Sequence, residues 1–369
     1  MAHGGDIYRN KVNMDFSVNL NPLGTPAKVM EAVRNSVERA GVYPDITQQE
    51  IREIIADANG VSPESVYAGN GASELIMAAV KAVRPATALL FEPGFSGYEH
   101  ALLSVDCRIK RHLLNKENGF RFSEEDIKAL SEESGDRPGM IFICDPSNPT
   151  GVNISDEILT GILNIAKDKN IFVCLDESFL YMSEKIGKFW NADDSGRVGN
   201  ANEFLKARVR DLITKYENLI IIRSLTKLLA LPGIRMGYAI SSPRNIKKMI
   251  RQLPEWNLSV CSEAAMKEGI RLIGEMDFIK STNDLISSER SFLMSEIKNL
   301  GLKVYESDSS FILFEGPTDL YDALLSKGLL IRDCSDYYGL EKGFFRIAVK
   351  GHLENEKLVE ALEDVLHTF

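Results

Sequence analysis

The residues best equipped for chemistry lie in Ser224-Leu225-Thr226-Lys227 and in the stretch that follows, Leu231-Pro232-Gly233-Ile234-Arg235-Met236-Gly237-Tyr238. Ser224, Thr226 and Arg235 can all donate to an anion, and Lys227 supplies an amine. An amine beside a phosphate cradle is what is needed to hold a phosphorylated aldehyde as a Schiff base. The apolar run Leu219-Ile220-Ile221-Ile222 just before it suits a buried strand by its length and β-branched content. A lysine at the end of such a strand lies at the mouth of an α/β sheet, where ligands of open sheets bind. Taken alone, Lys227 reads as a solvated lysine after a core strand, as most lysines are. Its companions elsewhere in the chain decide the matter.

Four further stretches supply them. Gly69-Asn70-Gly71-Ala72-Ser73-Glu74 opens a helix over Leu75 to Val83. Glycines at such a start let the first N–H groups approach an anion, and the helix dipole favours its charge; simple capping gives the same pattern. A strand over Ala86 to Phe91 ends in Glu92-Pro93-Gly94-Phe95-Ser96-Gly97-Tyr98, so Phe95 is either a core aromatic or a platform for a flat ligand. In Ser147-Asn148-Pro149-Thr150-Gly151 the proline holds Asn148 in a tight turn. Asp176 ends a strand over Ile171 to Leu175 and is either a cap or a deliberately placed charge. A buried carboxylate is costly unless a cation pairs with it, and a protonated pyridine nitrogen is such a cation.

The elements that must position these residues include strands over Ala86 to Phe91, Met140 to Cys144 and Ile171 to Leu175, the last two separated by a helix from about Asp156 to Lys167. Strands ending in polar loops and separated by helices predict a mostly parallel sheet with its site at the strand ends. Residues 1–26, rich in Asn, Gly and Pro, predict an extended arm that lies on something else, with His3-Gly4-Gly5 reading on composition as a frayed terminus. Residues 27–254 form the large domain. Within it 184–217 reads as a polar surface insertion, with a helix near Glu203 to Lys215 and no evident chemistry. A hinge at Pro254-Glu255-Trp256-Asn257 leads to a small α+β domain, 255–369, with a long helical stretch over Ser262 to Leu300 and short strands after it.

Bulk properties narrow the function. The chain has 369 residues, 44% of them hydrophobic, enough for one large core and one smaller. A net charge of -10 without any basic tract argues against nucleic acid or an anionic membrane as the main partner. Cys107, Cys144, Cys174, Cys261 and Cys334 are scattered without metal-like spacing and read as free thiols of a reducing compartment. No apolar run approaches the ~20 residues that span a bilayer, and no signal-peptide segment opens the chain, so a soluble, cytoplasmic protein is expected.

Taken in this order, the motifs resemble the fold-type I, pyridoxal 5'-phosphate-dependent aminotransferase superfamily over essentially the whole chain. Within it the match is to the L-threonine-O-3-phosphate decarboxylase family of cobalamin biosynthesis, next to the histidinol-phosphate aminotransferases. The resemblance implies the aspartate-aminotransferase-like α/β fold, a mostly parallel large domain with a smaller α+β domain. It also implies that Lys227 forms the Schiff base, Asp176 keeps the pyridine nitrogen protonated, Asn148 donates to the ring's 3-oxygen and Phe95 stacks on the ring. Gly71, Ala72, Ser224 and Arg235 would hold the cofactor phosphate. Tyr43, in Val42-Tyr43-Pro44-Asp45, would reach that phosphate from a neighbouring subunit, which implies a homodimer with shared sites. For the substrate, Arg346 would take the carboxylate, and His3, Asn21 and Arg332, in motifs like those of the decarboxylase family, would take part in binding, His3 and Arg332 at its phosphate. Phe179 stands where related aminotransferases carry a tyrosine, and Ser178 where alanine is usual. The expected reaction is decarboxylation of an O-phosphorylated hydroxy-amino acid, threonine phosphate giving aminopropanol phosphate. Transamination of histidinol phosphate with 2-oxoglutarate is the alternative. A non-catalytic protein that merely retains the cofactor is a third reading, against which the intact set of Lys227, Asp176, Asn148 and Arg346 argues.

Overall fold

The computed structural model describes residues 4–132, 137–187 and 201–367, which leaves His3 outside the described residues. Seven strands form the large sheet, running from edge to edge as Val66–Gly69, Gly237–Ser241, Leu219–Ser224, Phe172–Asp176, Met140–Cys144, Thr87–Glu92 and Arg108–Leu113. All pairings are parallel except the two made by Gly237–Ser241. The inner strands are apolar runs because both faces are covered, as parallel sheets require. Met140 and Phe142 pack into one core, Ile141 and Ile143 into the other on the opposite face. Three of these strands were not read from the sequence: Val66–Gly69, Arg108–Leu113 and Gly237–Ser241. The second carries three charges, Arg108, Lys110 and Arg111, as an edge strand does.

A second sheet of four antiparallel strands, Arg332–Asp333, Phe344–Ala348, Phe311–Glu315 and Lys303–Val304, has its own core, in which Phe314, Ile347 and Leu358 are fully buried. The amino-terminal arm lies on it: Met14–Asp15 pairs in parallel with Leu329–Leu330, and Phe16 is buried in the small core. The Phe16 N–H donates to Leu330 O at 2.7 Å and its carbonyl accepts from Ala348 N at 2.8 Å. One aromatic anchor and a two-residue ladder therefore tie down a segment otherwise poor in apolar residues.

The long helical stretch expected over 262–300 is two helices, Val260–Gly274 and Met276–Asn299, parted at Glu275, whose backbone is extended. The first packs against Ala27–Ser36 and Gln49–Asn59, both helices of the large lobe. We therefore place the passage between lobes near Glu275 rather than at 254. The segment 184–217 is not a detached surface insertion where it is described. Val209 of the helix Ala201–Lys215 is completely buried, and Arg208 reaches Glu177 beside Asp176.

Candidate active site

Parallel strands deliver side chains at their carboxyl ends, and here Ser224, Asp176 and Cys144, from three neighbouring strands, line one cavity of about 200 Å³. Phe95, Ala72, Asn148, Thr226, Lys227 and Arg235 complete its large-lobe wall. Arg332, Arg346 and Tyr337 from the small lobe, with Gly4, Ser17 and Asn19 from the arm, close the opposite side. The sequence had placed ten of these residues' functions in separate motifs; the fold brings them around a single space.

Lys227 Nζ has no hydrogen-bond or ion-pair partner among the described residues. Burial lowers its pKa from 10.5 to about 8, helped by the positive charges of Arg346 and Arg235 and opposed by Asp176. Such an amine is still mostly protonated at neutral pH, but its neutral, nucleophilic fraction is far larger than that of an ordinary lysine. Asp176 is buried with no cation in contact among the described residues. It accepts from Tyr98 Oη at 2.8 Å and from Ser178 N at 2.9 Å. Burial raises its pKa, and those two hydrogen bonds oppose the rise. A carboxylate buried this way, facing a cavity, is incomplete without a cationic ligand group.

The anion cradle is built around a missing side chain. Gly71, at φ 88°, precedes the helix Ala72–Val83, and a Cβ there would lie 2.6 Å from Arg235 Nη2. Arg235 therefore sits over the helix start, where unpaired N–H groups and the dipole already favour an anion. Ser224 Oγ and Thr226 Oγ1, 2.7 Å apart, supply hydroxyls beside it.

On the substrate side, Arg332 and Arg346 are direct partners across two antiparallel strands, so their side chains share one face. Arg346 donates to Asn148 Oδ1 and, at 2.8 Å, to Ser17 O, while its Nε is buried without a partner. Because Asn148 Oδ1 is taken by Arg346, its amide nitrogen is the group left to donate. Arg332 donates to Asp333 O and pairs with Asp336 at 2.6 Å. Phe179 stacks edge-on against Phe311 at 5.0 Å and offers no donor, in keeping with its apolar ring.

One sequence expectation changes. Asn21 does not line the cavity. Its amide donates to Leu228 O at 2.9 Å and Thr282 Oγ1 at 3.0 Å, and its backbone N–H donates to Lys227 O at 3.0 Å, so it fixes the lysine's loop. Asn19 faces the cavity instead, with its buried Oδ1 unpartnered. Tyr43 lies outside this chain's cavity; it is 76% exposed and packs on Trp256 at 4.9 Å.

Sequence reasoning missed the residues behind the site. Glu177 is fully buried between Arg223 and Arg208, at 2.7 and 2.6 Å, and Arg223 also donates to Asn59 Oδ1 at 2.6 Å. Strand alternation could have found them: Asp176 and Ser224 face the cavity, so Glu177 and Arg223, one residue away on adjacent strands, face the other way together.

The unpaired Asp176, the free amine and the glycine cradle fit pyridoxal 5'-phosphate. The profile of one family, Aminotransferase class I and II, matches residues 11–365, so the chain belongs to that family and is dependent on pyridoxal 5'-phosphate. It is similar to threonine-phosphate decarboxylase of Salmonella typhimurium, 28% identical over 99% of this chain and 96% of that one. It is 30% identical to the adenosylcobalamin biosynthesis bifunctional protein CobDQ of Leptospira interrogans, over 99% of this chain but only 41% of that protein. Its fold matches histidinol-phosphate aminotransferase of Clostridium acetobutylicum with a TM-score of 0.81 and 26% identity, over 96% of this chain and 100% of that one. The fold is thus the aspartate-aminotransferase-like fold type I.

Proposed function

We propose that this protein is a decarboxylase of an O-phosphorylated hydroxy-amino acid, converting threonine phosphate to aminopropanol phosphate and CO2. The observation that carries this reading is the pair Arg332 and Arg346, two buried guanidiniums opposite each other on one sheet face and both lining the cavity. They suit a substrate with two anionic groups, a carboxylate and a distal phosphate. Likeness to the Salmonella decarboxylase supports it.

In this reading Arg346 would take the carboxylate and Arg332 the phosphate, and together they would fix the orientation of the substrate's α-carbon in the cavity. When bound, the cofactor serves as a sink for the electron pair left at the α-carbon. Asp176 would hold the proton on the ring nitrogen, and Asn148 would donate to the ring oxygen. As the bond from the α-carbon to the carboxylate breaks and CO2 departs, Lys227 Nζ supplies the proton that takes its place.

Likeness to the Clostridium enzyme supports a second reading, histidinol-phosphate aminotransferase. Histidinol phosphate carries no carboxylate, so Arg346 would then serve the dicarboxylic partner substrate. We further propose a homodimer, because Val42, Tyr43, Ile46 and Trp256 are exposed apolar residues on one stretch of surface and Tyr43 is free to reach a second copy. A cytoplasmic location is in keeping with five free cysteines, and no helix among the described residues is long and apolar enough to cross a membrane.

The deciding experiment incubates cofactor-loaded protein with threonine phosphate, serine phosphate, or histidinol phosphate plus 2-oxoglutarate, and follows products by mass spectrometry. Loss of CO2 from a phosphorylated amino acid is the expected result. Formation of glutamate from 2-oxoglutarate with the amino group of histidinol phosphate, without any CO2 release, would overturn the proposal in favour of the second reading.

A further inference from the structure

Behind the cavity wall a single side chain touches two of the groups assigned to the cofactor. Tyr98, 4% exposed, lies in the short helix Gly97–Leu103, and its hydroxyl donates to Asp176 Oδ2 at 2.8 Å. The other carboxylate oxygen accepts from Ser178 N at 2.9 Å, so each oxygen has one named donor and keeps lone-pair capacity for the cavity. The ring of Tyr98 is stacked on Phe142 of the strand Met140–Cys144, with centroids 4.6 Å apart and planes at 16°. Its edge meets Phe95 at 5.4 Å and 86°. Phe95 in turn lies so close over Gly97 that a Cβ there would come within 2.3 Å of its ring. Phe95 is therefore held from below by bare backbone and from the side by Tyr98.

We propose that Tyr98 is a positioning residue for the cofactor: its phenol orients the Asp176 carboxylate toward the ring nitrogen while its ring braces Phe95 against the ring face. The inference rests on the assignment of Asp176 and Phe95 to the cofactor, and it holds whichever reaction the enzyme performs. The hydroxyl matters because burial and the neighbouring charge of Glu177 both disfavour the charge of Asp176, and the hydrogen bonds from Ser178 and Tyr98 are what oppose them. Burial pushes the Tyr98 phenol well above its ordinary range, so it stays protonated and remains a donor. Without that donor the carboxylate becomes more basic and competes with the ring nitrogen for the shared proton.

The test compares Tyr98→Phe, which keeps both aromatic contacts and removes the hydroxyl, with Tyr98→Leu, which removes both functions. Each variant is loaded with cofactor labelled with 15N in the ring. Tyr98→Phe should shift the ring-nitrogen resonance from pyridinium toward neutral pyridine and raise the cofactor dissociation constant about tenfold, as loss of a hydrogen bond to a charged group would. It should lower kcat while leaving KM within about twofold. Tyr98→Leu should do the same and, in addition, weaken the visible circular dichroism of the bound cofactor, because Phe95 is no longer braced. Should phenylalanine not be tolerated, 3-fluorotyrosine at position 98 keeps the shape and strengthens the donor, and should tighten cofactor binding. A Tyr98→Phe holoenzyme with the wild-type nitrogen resonance and dissociation constant, or a fluorotyrosine variant with unchanged or weaker binding, would overturn the proposal.

Discussion

Replacing the essential amine should stabilise the cofactor-free protein. Burial, with Arg346 and Arg235 nearby, brings the pKa of Lys227 from 10.5 to about 8. Below pH 8 the folded apoprotein therefore holds a cation it resists, whereas the unfolded chain holds the same proton without penalty up to about pH 10.5. Between those values the unfolded state binds more protons, so the stability of the wild type rises with pH, and below pH 8 the whole cost is present. At roughly 1.4 kcal/mol per pH unit that cost is about 3 kcal/mol. Lys227→Met keeps the length of the side chain and removes the charge. With an unfolding entropy of ~2.1 cal/mol/K per residue, the melting temperature at pH 7 should rise by about 4 °C. Calorimetry on apoprotein at pH 7, 8, 9 and 10 would show the gain shrinking above pH 8. A variant that melts at or below the wild-type temperature at pH 7, or a gain that grows with pH, would refute the reasoning. The same variant should be inactive with cofactor added, since it has given up the nucleophile for stability.

Glu177→Gln should act in the opposite sense. Burial pushes this carboxyl up, but Arg223 and Arg208 outweigh it and bring it from 4.5 to about 2, so it contributes about 3 kcal/mol above pH 4.5 that is lost as pH falls toward 2. In denaturant titrations at pH 7 the glutamine variant, with two buried guanidiniums left uncompensated, should lose about 3–5 kcal/mol, and Arg208→Gln should lose less because Arg223 still pairs with Glu177. Gly71→Ala would bring a Cβ to 2.6 Å from Arg235 and force a residue with a side chain into φ 88°; fluorescence titration should show cofactor binding weakened at least tenfold with the fold retained. Arg332→Lys, which keeps the charge but loses the planar fork, should raise KM for the phosphorylated substrate about tenfold or more in steady-state assays, with a smaller effect on kcat.

The large lobe was legible because its signals are local. Leu219–Ser224 and Phe172–Asp176 are apolar runs that end abruptly in polar residues, and a buried parallel strand has no other way to end at a site. Arg108–Leu113 escaped notice because an edge strand carries the charges that protect it, and Gly237–Ser241 because it follows directly on the loop that carries Arg235. Asp176 and Ser224 were legible as the polar ends of those strands, and Ala72, Phe95, Asn148 and Arg235 because each lies beside a glycine or proline that shapes its turn. Their supports were not. Nothing near Arg208 in the sequence points to Glu177, 31 residues earlier, and a polar helix with one buried arginine reads as a surface helix until its partner is known.

Asn19 and Asn21 show where sequence spacing stops deciding. Both lie in the same turn-rich arm and both are buried, so composition cannot separate them. What separates them is that the backbone at Asn21 is already committed to Lys227 O and its side chain to Leu228 O and Thr282, while Asn19 is left with an oxygen unsatisfied. A buried polar atom without a partner calls for a ligand, whereas one with a full set of partners serves the scaffold. By that criterion the arm acts twice on the same lysine: Asn21 fixes its loop from behind, and Gly4, Ser17 and Asn19 form the wall it faces. Truncating the arm before Asn19 should then remove substrate binding while the lysine loop stays in place, and removing Asn21 as well should loosen that loop and the cofactor with it.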